Sequence, residues 1–193
     1  GRKVNTVLQL RYHPAILKLK HQIDNDGDKI YDIDLSYVTT RGKWYFKSWK
    51  GDVQKSGGVA TNIGIHFFDM ITWIFFCFKE NVVHLYQSNK AAGYLQLEKA
   101  RVRWFLSLDY HDLPDVATKS GMRTFRSITV NGQEIEFSGG FTDLHTVTYK
   151  NILNGNGFGI RDARESVELT DFVRNAKPVG IKGDYHPFLK KAH

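Results

Sequence analysis

Apolar and polar positions along the chain repeat with two periods. Tyr31, Ile33, Leu35 and Tyr37 alternate with Asp32, Asp34 and Ser36, the pattern of a strand with one buried face. Val102, Trp104, Leu106 and Leu108 alternate in the same way with Arg103, Ser107 and Asp109. Shorter runs at Val82–Gln87, Tyr94–Glu98, Phe125–Val130 and Glu134–Phe137 predict further strands. Asn131-Gly132 between the last two is a strong hairpin signal, because both residues tolerate positive φ. Thr6–Arg11 reads as a short opening strand. One helix is predicted from His13-Pro14, with proline in its tolerated first turn, to the turn cluster Asn25-Asp26-Gly27-Asp28. A second covers about Thr61–Phe78. The third, about Thr142–Asn154, is stopped by Gly155, and the fourth, about Asp162–Asn175, has Pro178 beyond it. Arg41–Ala60 reads as irregular.

Segregated runs of strands and helices predict the α+β class: an open, mostly antiparallel sheet with helices packed on one face. The 193 residues suit a single domain spanning 1–193, and 41% hydrophobic with 24% charged residues gives it a packed core. The opposite sheet face, carrying Tyr, Phe and Trp, calls for a cover, either a second sheet or another subunit. Ile63–Phe78 is the most apolar stretch. It is shorter than the ~20 residues of a membrane span and contains His66 and Asp69, so it reads as a core helix. The single cysteine, Cys77, excludes an internal disulfide and a cysteine-built zinc site, and no metal is expected. Asn25-Asp26-Gly27-Asp28 resembles the start of a calcium loop but lacks the closing glutamate. No apolar segment follows the charges of the first residues, so no signal peptide is read and a cytoplasmic protein is expected.

Chemistry concentrates in Lys55–Asp69. On a helix Asn62, His66, Asp69 and Trp73 fall on one face, and their surroundings are apolar. Buried polar groups need partners, so this face borders either a hydrogen-bonded core network or a wet cleft; for His66 both remain open. Gly57-Gly58 ahead of it allow close backbone approach to a ligand. Gly155-Asn156-Gly157-Phe158-Gly159 follows a helix instead of a strand. It therefore fails the context of a dinucleotide loop, and no cofactor-binding residues are assigned in this chain.

The formal net charge is +7. Much of it lies in Arg41–Lys55, where Arg41, Lys43, Lys47, Lys50 and Lys55 face only Asp52 and interleave with Trp44, Tyr45, Phe46 and Trp49. Such a segment suits single-stranded nucleic acid, a nucleotide sugar, or nothing beyond solvent. Lys182, Lys190 and Lys191 read as a solvated tail.

Gly57-Gly58-x-x-x-Asn62-x-Gly64-x-His66-x-x-Asp69 resembles the motif of the glucose–fructose oxidoreductase / inositol dehydrogenase / MocA family. Leu8-Gln9-Leu10-Arg11-Tyr12-His13-Pro14, Arg41-Gly42-Lys43-Trp44-Tyr45, Ser48-Trp49-Lys50-Gly51-Asp52, Phe141–Thr146 and Gly157–Arg164 support the likeness. Nearly the whole chain is similar to the C-terminal domain of that family. The likeness is greatest to the branch that oxidises UDP-linked N-acetylaminoglucuronate at C3 in lipopolysaccharide O-antigen synthesis. The resemblance implies a substrate-binding and oligomerisation domain, NAD bound mainly by an N-terminal Rossmann domain absent from this chain, and no activity of the chain alone. It implies a homodimer or homotetramer through the open sheet face, with neither membrane nor nucleic acid as partner. It places His66 beside the oxidised hydroxyl. Asn62, often aspartate in the family, would orient by hydrogen bonds, since an amide is no base. Arg11, Lys43, Trp44, Lys50, Ser56, Gly57 and His145 are candidate substrate contacts. Two other readings are a related dehydrogenase for a simple sugar or inositol, and a basic nucleic-acid-binding module.

Overall fold

The structure, a computed structural model, describes residues 3–137 and 139–191. Six strands form one mixed sheet: β1 (Tyr31–Thr39), β2 (Phe78–Tyr86), β3 (Lys90–Leu97), β4 (Ala100–Ser107), β5 (Thr124–Val130) and β6 (Gln133–Glu136). Their spatial order is β2-β3-β4-β1-β5-β6. β1 and β4 run parallel, with Leu35 opposite Trp104; every other pairing is antiparallel. The hairpin between β5 and β6 turns at Asn131 and Gly132, both at positive φ as the sequence predicts. The α-helices are α1 (Pro14–Asn25), α2 (Lys43–Lys47), α3 (Val53–Ser56), α4 (Ile65–Phe75), α5 (Asp115–Lys119), α6 (Leu144–Leu153) and α7 (Arg164–Asn175). Among the described residues no helix is long and apolar enough to cross a membrane.

Alternation along β1 and β4 decides which face is covered. Tyr31, Ile33, Leu35 and Tyr37, with Val102, Trp104 and Leu106, join the helical layer in one core that includes Ile16 and Leu19 of α1, Phe68 and Ile71 of α4 and Leu169 of α7. Trp104 is fully buried and meets Phe68 edge-on at 5.2 Å. Gly93 of β3 makes room for it, since a Cβ there would lie 2.6 Å from the indole.

Several expectations are corrected. Thr6–Arg11 is no strand: Asn5 makes a lone bridge with Gly159, and Gln9–Tyr12 forms a 3-10 turn. Leu8 and Leu10 have the alternation of a strand, but the turn sends Leu10 and Arg11 into the interior instead. The irregular Arg41–Ala60 segment is a chain of short helical turns. Ser48 caps one, its hydroxyl accepting from the Lys50 N–H, and Asp52 caps another through the Gln54 and Lys55 N–H groups. The helix predicted over Thr61–Phe78 ends at Phe75, where Phe76 takes φ +67, and Phe78 begins β2. It is also preceded by a π-helical turn, Ala60–Gly64, in which i→i+5 bonding replaces i→i+4. Asp26 of the calcium-like turn accepts a hydrogen bond from the Tyr31 hydroxyl at 2.5 Å.

The outer sheet face departs most from expectation. Its large aromatic residues are Phe105, Phe125 and Tyr94, whereas Trp104, Tyr31 and Tyr37 point to the helices. The cover of the two phenylalanines is the chain's own C-terminal segment, so that segment is more than a solvated tail. The Val179 and Gly180 N–H groups donate to the Val83 and His84 carbonyls at 2.9 and 3.2 Å. Leu189 is buried over Val38, Ala92, Phe105 and Phe125, and the His186 ring stacks on Phe105 at 5.7 Å while bonding the Ser36 hydroxyl at 3.0 Å. The other half of this face carries charge pairs: Asp32 with Arg101 at 3.1 Å, and Asp34 with Arg103 at 2.5 Å, Arg103 also reaching Asp184 at 3.5 Å.

Burial, aided by the Arg103 charge, pushes the His186 pKa down to about 3. An unfolded histidine binds its proton near ~6.5. Its contribution to stability is therefore complete above that pH and is lost as pH falls toward 3. Urea unfolding at pH 7 and pH 5 checks this. Acidification should cost the wild-type chain about 2 kcal/mol more than His186→Leu.

Candidate active site

A cavity of about 210 Å³ opens between the start of the long central helix and the β1/β5 end of the sheet. Its polar lining is Gln9, Arg41, Asn62, His66 and Arg126, and its apolar walls include Tyr37, Phe67 and Phe141. Each group is held by a different element. Asn62 belongs to the π-helical turn and His66 to the first turn of α4, four residues on. Tyr37 and Arg126 are register partners on β1 and β5, at the sheet end nearest the helix. The Arg126 guanidinium lies over the Phe141 ring at 4.0 Å and near Tyr37 at 5.1 Å. The Tyr37 ring in turn packs on Phe67 at 4.6 Å.

His66 is half-buried. Burial is the main cause of its lowered pKa; the nearby Asp69 charge opposes this and His145 adds to it. The imidazole is therefore neutral at pH 7 and can accept a proton. Asn62 is already engaged: its amide donates to the Lys50 carbonyl at 3.2 Å. It ties the helix to the 43–58 segment and shows one edge to the cavity.

The predicted polar face of the helix is divided along its length. Asn62 and His66 face the cavity. Asp69 and Trp73 lie farther along and meet Arg11 instead. Arg11 is 6% exposed and Asp69 2%. The guanidinium donates to both carboxylate oxygens at 2.9 and 2.7 Å and to the Asp162 carbonyl at 2.8 Å, between the Phe158 ring at 4.6 Å and the Trp73 ring at 5.6 Å. Burial pushes the Asp69 carboxyl up in pKa and Arg11 pulls it back. Arg11 thus stands outside the cavity, fully engaged.

The remaining sequence candidates also have defined places. Ser56 and Gly57 are buried in the turn that precedes the helix. The Ser56 hydroxyl accepts from the Gly58 N–H at 3.0 Å, and the Gly57 carbonyl accepts from the Thr61 and Tyr86 hydroxyls, each at 3.0 Å. Gly57 holds φ +74, and a Cβ on it would fall 2.3 Å from the Thr61 hydroxyl, so its role is to make the turn. Lys43, Trp44 and Lys50 are exposed on the 43–58 segment, outside the cavity. His145 is exposed in the first turn of α6, close enough to influence His66.

Gln9, Arg41 and Arg126 were absent from the sequence candidates. Arg126 had a usable signal: it is in phase with Ile128 and Val130, on the inward side of a strand whose register the Asn131-Gly132 turn sets. Arg41 entered only as charge. Gln9 gave no signal.

The residues present do not form a dinucleotide cradle. In the 155–159 glycine run the Gly159 N–H is taken by the Asp162 carboxylate at 2.7 Å, Phe158 covers Arg11, and a Cβ at Gly157 would press on Ile152 at 2.6 Å.

A family model described as "Oxidoreductase family, C-terminal alpha/beta domain" matches residues 20–170. The chain belongs to this Gfo/Idh/MocA family. The WlbA (WbpB) dehydrogenase of Thermus thermophilus, solved with NAD and UDP-GlcNAcA, is similar to this Gfo/Idh/MocA domain at 49% identity and a TM-score of 0.92; the match covers 97% of this chain and 61% of that one. The same enzyme solved with NAD and alpha-ketoglutarate gives 50% identity and a TM-score of 0.93 over the same shares. The WlbA dehydrogenase of Bordetella pertussis, at 17% identity and a TM-score of 0.70 over 95% of this chain and 65% of that one, shares the fold.

Within this Gfo/Idh/MocA domain the Arg11–Asp69 pair generates a direct prediction. Asp69→Asn should leave a buried guanidinium without its counter-charge and lower stability by roughly 3–5 kcal/mol. Arg11→Met combined with Asp69→Leu should recover most of that loss, because both desolvation costs disappear together. Urea midpoints of the wild type, both single variants and the double variant check it.

Proposed function

We propose that this chain is the substrate-binding domain of an NAD-dependent nucleotide-sugar dehydrogenase. Its substrate is UDP-linked N-acetylaminoglucuronate, oxidised at C3 in lipopolysaccharide O-antigen synthesis in the cytoplasm. The observation that carries this reading is the cavity: a neutral imidazole shares its lining with two guanidiniums and the Asn62 and Gln9 amides. The 49% identity to a dehydrogenase solved with NAD and UDP-GlcNAcA supports the same substrate class.

In this reading His66 accepts the proton of the reacting hydroxyl, a role that suits a lowered pKa. Asn62, fixed through the Lys50 carbonyl, orients the sugar by a hydrogen bond from its free edge. The uridine diphosphate lies outside the cavity along the 43–58 segment. There Lys43 and Lys50 meet the pyrophosphate, and Trp44 or Trp49, 59% and 58% exposed, covers the uracil ring. NAD is held by a part of the protein outside this chain, and the chain alone does not turn over. Assembly into a homodimer or homotetramer uses the charged half of the outer sheet face.

The exposed lysines and tryptophans of the same segment would also suit single-stranded RNA. Calorimetric titration of the chain separates the two readings. Saturable binding of UDP-GlcNAcA with no comparable binding of an RNA oligonucleotide is expected; the reverse would overturn the proposal. In a full-length relative, replacing the histidine that corresponds to His66 by alanine should lower turnover by ~100-fold or more. With the histidine present, the rate should fall as pH drops through its lowered pKa, below ~6.5, and that acidic limb should vanish in the variant.

A further inference from the structure

We infer that His13 is a positioning residue: it fixes the Phe141 wall of the cavity from behind and so governs how tightly the sugar is held. For the identity of the ligand this rests on the substrate reading above. The imidazole is 5% exposed and stands outside the cavity lining. Its two nitrogens have different partners. Nδ1 accepts from the Ala15 N–H at 3.2 Å, and Nε2 lies 2.9 Å from the Gly139 carbonyl. A backbone N–H can only donate, so Nδ1 carries no proton. The ring is therefore the Nε2–H tautomer and donates to Gly139. One side chain thus joins the start of α1 to a loop 126 positions away.

The choice of residue is informative. Asn, Asp, Ser or Thr ordinarily caps a helix, and each would satisfy the Ala15 N–H alone. Histidine adds a second nitrogen on the far side of a rigid ring. Gly140 points to the same contact. It holds φ +75, and a Cβ there would fall 2.8 Å from the His13 Nε2, so glycine leaves the space that the ring occupies. Capping α1 requires neither the second nitrogen nor a glycine at 140; bringing the loop onto the ring requires both.

The loop leads directly to the cavity. Phe141, two residues beyond the bonded carbonyl, is one of the apolar walls, and its ring lies 5.4 Å from the imidazole. The Arg126 guanidinium, also in the lining, rests on that same phenyl ring at 4.0 Å. Phe137 packs edge-on against the imidazole at 5.8 Å and meets Phe67, another lining residue, at 6.5 Å. Three residues after Phe141 begins α6, which carries His145, whose charge acts on His66. The bond from His13 to Gly139 is thus a common support for one wall, the arginine resting on it and the start of α6.

Two variants separate the helix cap from the link to the loop. His13→Asn keeps an acceptor for the Ala15 N–H but is too short to reach Gly139. His13→Gln keeps an amide N–H at about the reach of Nε2 and is the poorer cap. In calorimetric titration of the chain with UDP-GlcNAcA, His13→Asn should bind roughly 5- to 10-fold more weakly than the wild type, at a nearly unchanged urea midpoint. His13→Gln should bind within about threefold of the wild type although its midpoint falls. Hydrogen exchange at the amides of residues 141–145 should quicken in His13→Asn and not in His13→Gln. Undiminished binding or unchanged exchange in His13→Asn, or losses in both variants that simply follow their midpoints, would overturn the inference and leave the nucleotide-sugar reading standing. Failure of the wild type to bind would overturn that reading, and the exchange comparison would then decide the inference by itself.

Discussion

A buried ion pair organises the helical side of this domain. Arg11 and Asp69 lie 58 positions apart in sequence, and both are withdrawn from water at a desolvation cost of several kcal/mol per ion. Two parallel hydrogen bonds, a third to the Asp162 carbonyl, and flanking rings from Phe158 and Trp73 compensate it. The pair fastens the N-terminal turn, the central helix and the approach to α7 to one another. Because α4 is pinned at Asp69, His66 one turn earlier has a fixed place over the sheet, and the cavity has a rigid wall. Arg11 therefore serves the site by holding its scaffold.

What the sequence disclosed follows from the range of the interactions involved. β1 and β4 were legible because burial of one face imposes a period of two within a few residues. The β5–β6 hairpin was legible because Asn131 and Gly132 encode their own backbone angles. The opening strand was misread because alternation at Leu8 and Leu10 carries no information about whether a neighbouring strand exists. Arg11 was misplaced among substrate contacts for a related reason: an arginine next to a motif looks the same whether its carboxylate is a ligand's or Asp69's. Ser56 and Gly57 stood among the candidate substrate contacts because the sequence does not show the partners of their polar groups, Gly58, Thr61 and Tyr86, which are set by the folded chain. Arg126 could have been found by extending the strand phase from Ile128. Gln9 could not, since an amide in a turn has no pattern.

The net charge of +7 resolves into populations with different surroundings. Arg101 and Arg103 on the outer face are paired with Asp32, Asp34 and Asp184 and contribute orientation more than net field. Lys43, Lys47 and Lys50 are exposed and screened by salt within a Debye length. Arg41 and Arg126 sit against aromatic walls with lower local dielectric, where each charge acts far more strongly on whatever shares the space. A pI near 9.4 averages over all of these and so hides the small part of the charge that faces the cavity.

The π-helical turn at Ala60–Gly64 has a consequence beyond local geometry. It adds one residue to a helix whose far end is clamped by Asp69 and whose near end is set by the Gly57-Gly58 turn. A π turn takes up its extra residue locally, so the helix on either side keeps its phase and both ends stay where they are fixed. What the extra residue sets is the spacing between them: Asn62 lies inside the turn and His66 just beyond it. The relation between the two cavity groups is thus stored in the count of residues between two fixed points. Replacing Asn62 removes one polar group from the cavity wall, whereas a deletion in the turn alters the spacing of the wall itself.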